Sequence, residues 1–236
     1  MAQIKTPEEI AALRRAAEAG SAVFAQTLPL IGAGVTERFL AVQMEVFAET
    51  LKGYGTYGGL AFPAIIASGP NGAGPHAEPT DRAFEPGDFI TIDFGVIIDG
   101  YCSDMTRTYL IGEPTDKQRE VYGSVLRAQK AGLAAARGGI KCKDLDHVCR
   151  SLIEADGYGE NFIHTTGHGI GTEVHEDPRI GKDKETILEA GMAVTIEPGI
   201  YIKDWGGVRI EDTVILTEDG CEVITASIPT TLNAIG

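Results

Sequence analysis

Paired cysteines are missing from this chain. Its four cysteines, Cys102, Cys142, Cys149 and Cys221, include no CxxC pair, which excludes a zinc knuckle or a thioredoxin-type redox motif. Scattered thiols fit a reducing compartment. A long apolar run is missing too, since no stretch approaches the roughly 20 residues that span a bilayer. The opening "MAQIKTPEEI" carries charges where a secretory leader needs an apolar segment. Basic residues are scarce: 20 Lys and Arg stand against 34 Asp and Glu, for a formal net charge of −14. That balance disfavours nucleic acid and anionic membranes as partners. A soluble, cytoplasmic protein is expected. Carboxylates that bind cations would also be counted in the −14. No linker rich in proline, serine or charge divides the 236 residues, a length that suits a single domain over 1–236 with a sizeable core.

The pattern that is present occurs twice. Thr6-Pro7-Glu8-Glu9 reads as a capping box with proline at the first helical position, and apolar residues follow at helical spacing. A second helix is expected from about Thr36 to Leu51, ended by the glycine-rich "KGYGTYGG". Strands are expected over 62–68, 88–98 and 101–111, with Asp99-Gly100 as a hairpin turn. Thr115-Asp116-Lys117-Gln118 then opens another capped helix, and "GGIKCKDLDHVCRSLIEADG" a fourth. Strands follow near 161–166, 191–202 and 207–217, with a short "EVIT" at the end. Even "HAEP" at 76–79 returns as "HEDP" at 175–178. Two α-α-β-hairpin halves, about 1–112 and 113–236, are expected to share an α+β fold with a cleft between them.

Carboxylates sit where strands should be apolar. Asp93 lies inside "TIDFG" and Asp104 in the strand after the turn, so the hairpin makes them opposite or diagonal neighbours on one face. Glu197 in "TIEPG" and Glu211 in "RIEDT" are symmetric about Asp204 and should meet in the same way. Asp99 suits a turn, but Asp93 does not. Four half-buried carboxylates call for about four compensating positive charges. Arg107 and Arg209 could supply some of this, and two divalent cations all of it. His168, between Gly167 and Gly169, is the best histidine to complete such a site. His164 and His168 have the i, i+4 spacing of a helical zinc motif, but the surrounding glycines argue against a helix. His76 and His175 are better placed as groups facing a substrate, and His147 as an ordinary residue on a helix among charged neighbours.

The order Asp93, Asp104, His168, Glu197, Glu211 resembles the ligand set of the pita-bread metallopeptidases, which include methionine aminopeptidase, aminopeptidase P and prolidase. The motifs "IDFGVIIDGYCSDMTRT", "HTTGHGIGTEVHEDP", "MAVTIEPGIY" and "GVRIEDT" carry it over nearly the whole chain. "PHAEPTDR", "YCSDMTRT" and "IEPGIY" are similar to the Xaa-Pro peptidase branch. The N-terminal domain usual in that branch is expected to be absent. The resemblance implies a peptide substrate and two divalent metal ions, Mn²⁺ first, with Co²⁺, Fe²⁺ or Zn²⁺ compatible with the donor set. Asp104 and Glu211 would bridge the metals, Asp93 would hold one, and His168 with Glu197 the other. A hydroxide bridging the metals would be the nucleophile. Glu197 would shuttle the proton, and His175 and His76 would polarise the scissile carbonyl. His164 and Tyr201 would line or support the pocket, with Arg209 behind the carboxylates. Arg179, four residues after His175, resembles an arginine that binds the substrate carboxylate in some prolidases; the alternative is a surface arginine. Xaa-Pro hydrolysis is the expected activity. A methionine aminopeptidase-type exopeptidase is the nearest rival, followed by a binding protein on the same fold. Creatinase-like hydrolases lack the full ligand set. A homodimer is the candidate assembly.

Overall fold

Both threonine capping boxes form, and they set the frame for everything downstream. The computed structural model describes residues 4–232 and 234–235; residues 1–3, part of the segment read against a leader, lie outside them. Helix α1 (Pro7–Thr27) starts with Thr6 accepting from the Glu9 amide while the Glu9 carboxylate accepts from the Thr6 amide. Helix α2 (Glu37–Glu49) is capped by Thr36. Helices α3 (Asp116–Ala135) and α4 (Cys142–Ala155) repeat the pair, with Thr115 and Gln118 forming the second capping box.

The long strands expected from the sequence are broken, three of them at Asp104, Glu197 and Glu211 and the fourth at Gly95, two residues after Asp93. In the first half, β1 (Tyr57–Leu60) and β2 (Ile65–Ser68) precede β3 (Phe89–Phe94) and β4 (Val96–Ile98), and the chain returns through β5 (Tyr101–Cys102) and β6 (Met105–Ile111). Strands β3 and β6 pair Asp93 with Thr106, so Asp104 is its diagonal neighbour. The break at Gly95 is steric: a Cβ there would lie 1.9 Å from the Ser103 carbonyl oxygen. In the second half, β7 (Gly167–Gly169) and β8 (Glu176–Ile180) lead to β9 (Ala193–Ile196) and β10 (Gly199–Ile202), followed by β11 (Gly206–Arg209), β12 (Asp212–Leu216) and β13 (Cys221–Val223). The break between β9 and β10 holds Glu197 and Pro198, and Pro198 has no N–H to give the ladder. The Glu197 amide donates instead to Thr166, and the Glu211 amide crosses to Thr106 of the first half. Both hairpins turn on an aspartate with positive φ, Asp99 and Asp204.

Three local expectations change. Residues 62–64 are not strand, because Pro63 removes a donor, and "YGGL" forms β1 against β4 instead. Residues 161–166 are not strand either: their carbonyls at Phe162 and His164 accept from the buried Arg150 guanidinium rather than from a neighbouring strand. After β13 the chain returns to the first half, where β14 (Ala234–Ile235) pairs in parallel with β6.

The sheet order is β14-β6-β3-β2 in one half and β13-β12-β9-β7-β8 in the other. Helices α1 and α2 pack Phe24, Leu40 and Met44 against Ile66, Ile90 and Ile92. Helices α3 and α4 pack Val121, Val125, Leu145 and Ile153 against Val194, Ile196 and Val214. Leu13, Ile170 and Ile215 join the halves. No helix is long and apolar enough to cross a membrane among the described residues.

Between the two sheets lies Arg107, 1% exposed. It was expected to compensate the site carboxylates, but its guanidinium instead pairs with Asp212 at 2.7 Å and donates to the carbonyls of Thr106, Glu211, Thr225 and Ile228. Gln129 and Thr225 complete the Asp212 carboxylate. Removing one partner of such a pair leaves a buried charge uncompensated. Arg107→Met should therefore lower the unfolding free energy by about 3–5 kcal/mol in a denaturant titration. Arg127→Ala, which breaks the exposed pair with Asp156, should cost under about 1 kcal/mol. Equal losses would show that the Arg107 pair does not hold the halves together.

Candidate metal centre

The breaks in the two hairpins aim their carboxylates into one cavity of about 510 Å³. Asp93, Asp104, Glu197 and Glu211 line it from below, with His168 beside them. One side-chain donor atom each of Asp104, His168 and Glu211 lies within 4.8 Å of the others. His168 Nε2 is 3.3 Å from Glu197 and 3.6 Å from Asp104. The other ring nitrogen, Nδ1, lies 3.0 Å from the Gly169 carbonyl oxygen, which can only accept. Nδ1 therefore carries the proton, and the Nε2 lone pair points at the carboxylates. Burial pushes the His168 pKa down to about 4, favouring this neutral form.

Burial also raises the carboxyls. Asp104 stands well above its ordinary range through burial and the charges of Glu211, Asp93 and Glu197. Glu211 does so through burial, Glu197 and Asp93, and burial raises Glu197 as well. Two of these oxygens, Asp93 Oδ1 and Glu211 Oε1, are buried with no hydrogen-bond partner among the described residues. Hard oxygen donors, an imidazole lone pair and two orphaned carboxylate oxygens form a donor set that fits divalent cations.

The protein's own cation at the site is Arg209, 3% exposed. It donates to Asp93 at 2.6 Å, to the Tyr201 hydroxyl at 2.6 Å, to Thr106 at 3.1 Å and to the Pro75 carbonyl at 3.2 Å. Thr106 in turn donates to Glu211 at 2.6 Å, and Thr195 to Glu197 at 3.2 Å. His164 Nδ1 donates to the Thr165 carbonyl at 2.7 Å, which leaves Nε2 to accept from Tyr201 at 2.9 Å. Burial pushes the Tyr201 phenol up to about 12, so it remains a donor. Tyr201 is not at the cavity wall: its hydroxyl is fully used by Arg209 and His164. It stands behind the cavity lining as a support for Arg209 and His164, the second of the two places expected for it.

His76, His164, His175 and Arg179 do line the cavity. His175 packs edge-on against His168, ring centres 4.4 Å apart. Arg179 is half-buried, opposite His168 in the β7–β8 ladder. His147 is exposed on α4, away from the cavity. The far wall, Phe62 to Ile65 with Val174, was not expected. "FPA" before a strand was its one signal, and it was absorbed into the strand. Asp146 and Arg150 were missed as well. This buried i, i+4 pair at 2.8 Å holds the segment that carries His164.

The chain resembles proteins of known sequence and structure over most of its length. It is 46% identical to the Xaa-Pro dipeptidase of Pyrococcus furiosus over 222 residues, 94% of this chain and 63% of that protein. The solved Xaa-Pro dipeptidase of Bacillus anthracis superposes with a TM-score of 0.95 at 44% identity, covering 99% of this chain and 64% of that one. Escherichia coli aminopeptidase P, solved as a Glu383Ala variant in complex with substrate, gives 0.86 at 28% identity over 98% of this chain and 58% of its own. The chain thus spans less than two thirds of the length of these relatives. The fold is the pita-bread fold expected from the sequence. Metallopeptidase family M24 matches residues 11–218, and the chain belongs to that family, whose members depend on divalent metal ions.

Proposed function

We propose that this chain, as a single unit over 1–236, is the catalytic part of a Xaa-Pro exopeptidase with a dinuclear metal site. The observation that carries this reading is the convergence of Asp93, Asp104, Glu197 and Glu211 on the His168 lone pair, with two buried carboxylate oxygens lacking partners. The similar proteins named Xaa-Pro dipeptidase support the substrate class. Asp93, Asp104, His168, Glu197 and Glu211 would hold the two ions. Two such ions lower the pKa of a water they share and supply the nucleophile near neutral pH. Mn²⁺ suits the oxygen-rich set best, ahead of Co²⁺, Fe²⁺ and Zn²⁺.

The residues of the chain do the rest. Glu197 takes the proton released by the attacking water and delivers it to the leaving amine. Partial desolvation, with His168 and Arg179 nearby, lowers the His175 pKa, which favours a ring that donates one N–H to the scissile carbonyl oxygen. His76 does the same from the opposite loop. Arg209 fixes Asp93 and, through Tyr201, His164. Arg179 presents a planar fork that suits the free carboxylate of a dipeptide. Four free cysteines without a disulfide suit a reducing, cytoplasmic setting.

Peptide panels read the proposal directly. Metal-stripped protein reloaded with Mn²⁺ should hydrolyse Xaa-Pro dipeptides faster than Met-Ala-Ser. The reverse preference would favour the methionine aminopeptidase-type reading. Asp104→Asn and Glu211→Gln should each lower kcat/KM by about 10³-fold; near-native rates in either would remove the dinuclear site. Arg179→Ala should cost about 10–100-fold on dipeptides, with a smaller loss on Xaa-Pro-Yaa; equal losses would end the carboxylate role.

Stability should report the same site without turnover. Asp104 and Glu211 have folded pKa values above their unfolded ones, so the stability they contribute is present at low pH and lost as pH rises through the folded values. The lowered His168 works oppositely, contributing stability above about 6.5 that is lost as pH falls towards 4. Metal binding needs charged carboxylates and a neutral imidazole. The rise in melting temperature when Mn²⁺ is added to chelator-treated protein should be larger at about pH 8 than at about pH 5. An equal rise at both values would place the metal elsewhere.

A further inference from the structure

One carboxylate far from the cavity floor has an unusual environment. Glu37 is the first residue of α2 and is fully buried. Among the described residues no lysine or arginine forms an ion pair with it. Instead it accepts five hydrogen bonds. Its Oε1 takes the Ser68 amide and the Ser68 hydroxyl, both at 2.7 Å. Its Oε2 takes the Asn71 side-chain amide at 2.8 Å, the Thr80 amide at 2.8 Å and the Thr80 hydroxyl at 2.7 Å. Five converging donors are the partners of an ionised carboxylate, which only accepts. The positive end of the α2 dipole favours the same charge.

These partners are the two ends and an inner point of one loop. Ser68 ends β2, Thr80 lies twelve positions on, and Asn71 sits between them and also holds the Glu78 carbonyl at 3.1 Å. Next to Glu37, the Arg38 amide donates to the Thr80 carbonyl at 3.0 Å, and the Glu37 amide to that of Arg82 at 3.1 Å. The stretch so closed carries Pro75, whose carbonyl accepts from Arg209, and His76, which lines the cavity. His76 itself is exposed and has no side-chain hydrogen bond of its own among the described residues. Its position therefore depends on the loop.

We propose that Glu37 is a positioning residue for the reaction: by closing the 68–80 loop it holds His76 over the metal centre. This rests on the role given to His76 above. It follows that Glu37 acts on the substrate without touching it, and that its charge matters as well as its shape. A glutamine of the same size has only one accepting end. Whichever way it turns, its NH₂ meets a fixed backbone N–H, that of Thr80 or that of Ser68.

The test is a cycle of Glu37→Gln, His76→Ala and the double variant in the metal-loaded protein, read by kinetics and by hydrogen–deuterium exchange. In Glu37→Gln, amides of the 69–80 segment should exchange about tenfold faster or more, while those of Phe89–Phe94 and Ala193–Ile196 keep their rates. The same variant should lose about 10²-fold in kcat/KM on Xaa-Pro dipeptides, and little further loss should follow once His76 is alanine. Unchanged exchange in the loop overturns the clamp. Faster exchange with the full loss repeated in the His76→Ala background overturns action through His76. If His76→Ala keeps full activity, the role of His76 in the proposed function is overturned, and the exchange rates still decide separately whether Glu37 closes the loop.

Discussion

Four carboxylates that cannot comfortably share a cavity do share one, and much of the molecule follows from that constraint. Like charges in a desolvated space repel strongly. The fold answers with one arginine on Asp93, threonine hydroxyls on Glu197 and Glu211, and raised pKa values on Asp104, Glu197 and Glu211. What is left over, two orphaned oxygens and one lone pair, is the capacity for cations. Such a cluster needs a stiff surrounding structure to keep its like charges together. Interlocked sheets, a buried ion pair between the halves and helices packed on both outer faces supply that stiffness.

The hairpins show how the carboxylates come to be there. A continuous ladder would carry Asp93, Asp104, Glu197 and Glu211 as ordinary cross-strand neighbours. Breaking the ladders at Asp104, Glu197 and Glu211, and two residues after Asp93 at Gly95, frees the backbone to turn inward. The freed amides of Glu197 and Glu211 are not abandoned, since they donate to Thr166 and Thr106. The second of these bonds joins the halves at the cavity itself.

The carboxylates were legible in the sequence because an acidic residue inside a β-branched run has no cheap structural excuse, and because the pattern occurred twice. The helices were legible through threonine capping boxes, which are local. What the sequence did not disclose depends on long-range partners. Nothing around Tyr57 announces that a glycine-rich segment will find β4 as a strand partner. Nothing in "KDLDHVCR" says that Arg150 will take the carbonyls of Phe162 and His164 away from a sheet, or that Asp146 will accept from the Thr166 hydroxyl. Arg107, with Arg209, was a candidate for part of the charge that the carboxylates need. In a strand successive side chains face opposite ways, and the guanidinium points to Asp212. Between lining and supporting the pocket, the sequence left Tyr201 open, because the hydrogen bonds of its hydroxyl to Arg209 and His164 form only in the fold.

The return of the chain to the first sheet has a consequence for the order in which the protein can be completed. As residues emerge from the ribosome, β2, β3 and β6 can assemble once position 111 is available. The edge of β6 then stays open while the whole stretch from 112 to 233 is made, until Ala234 and Ile235 arrive to pair with Leu110 and Ile111. The Arg107 guanidinium, whose partners include residues 211, 212, 225 and 228, waits over the same interval. An unpaired strand edge beside an unsatisfied charge is a hazard in a nascent chain, and here it is resolved only once residues 211–235 have been made.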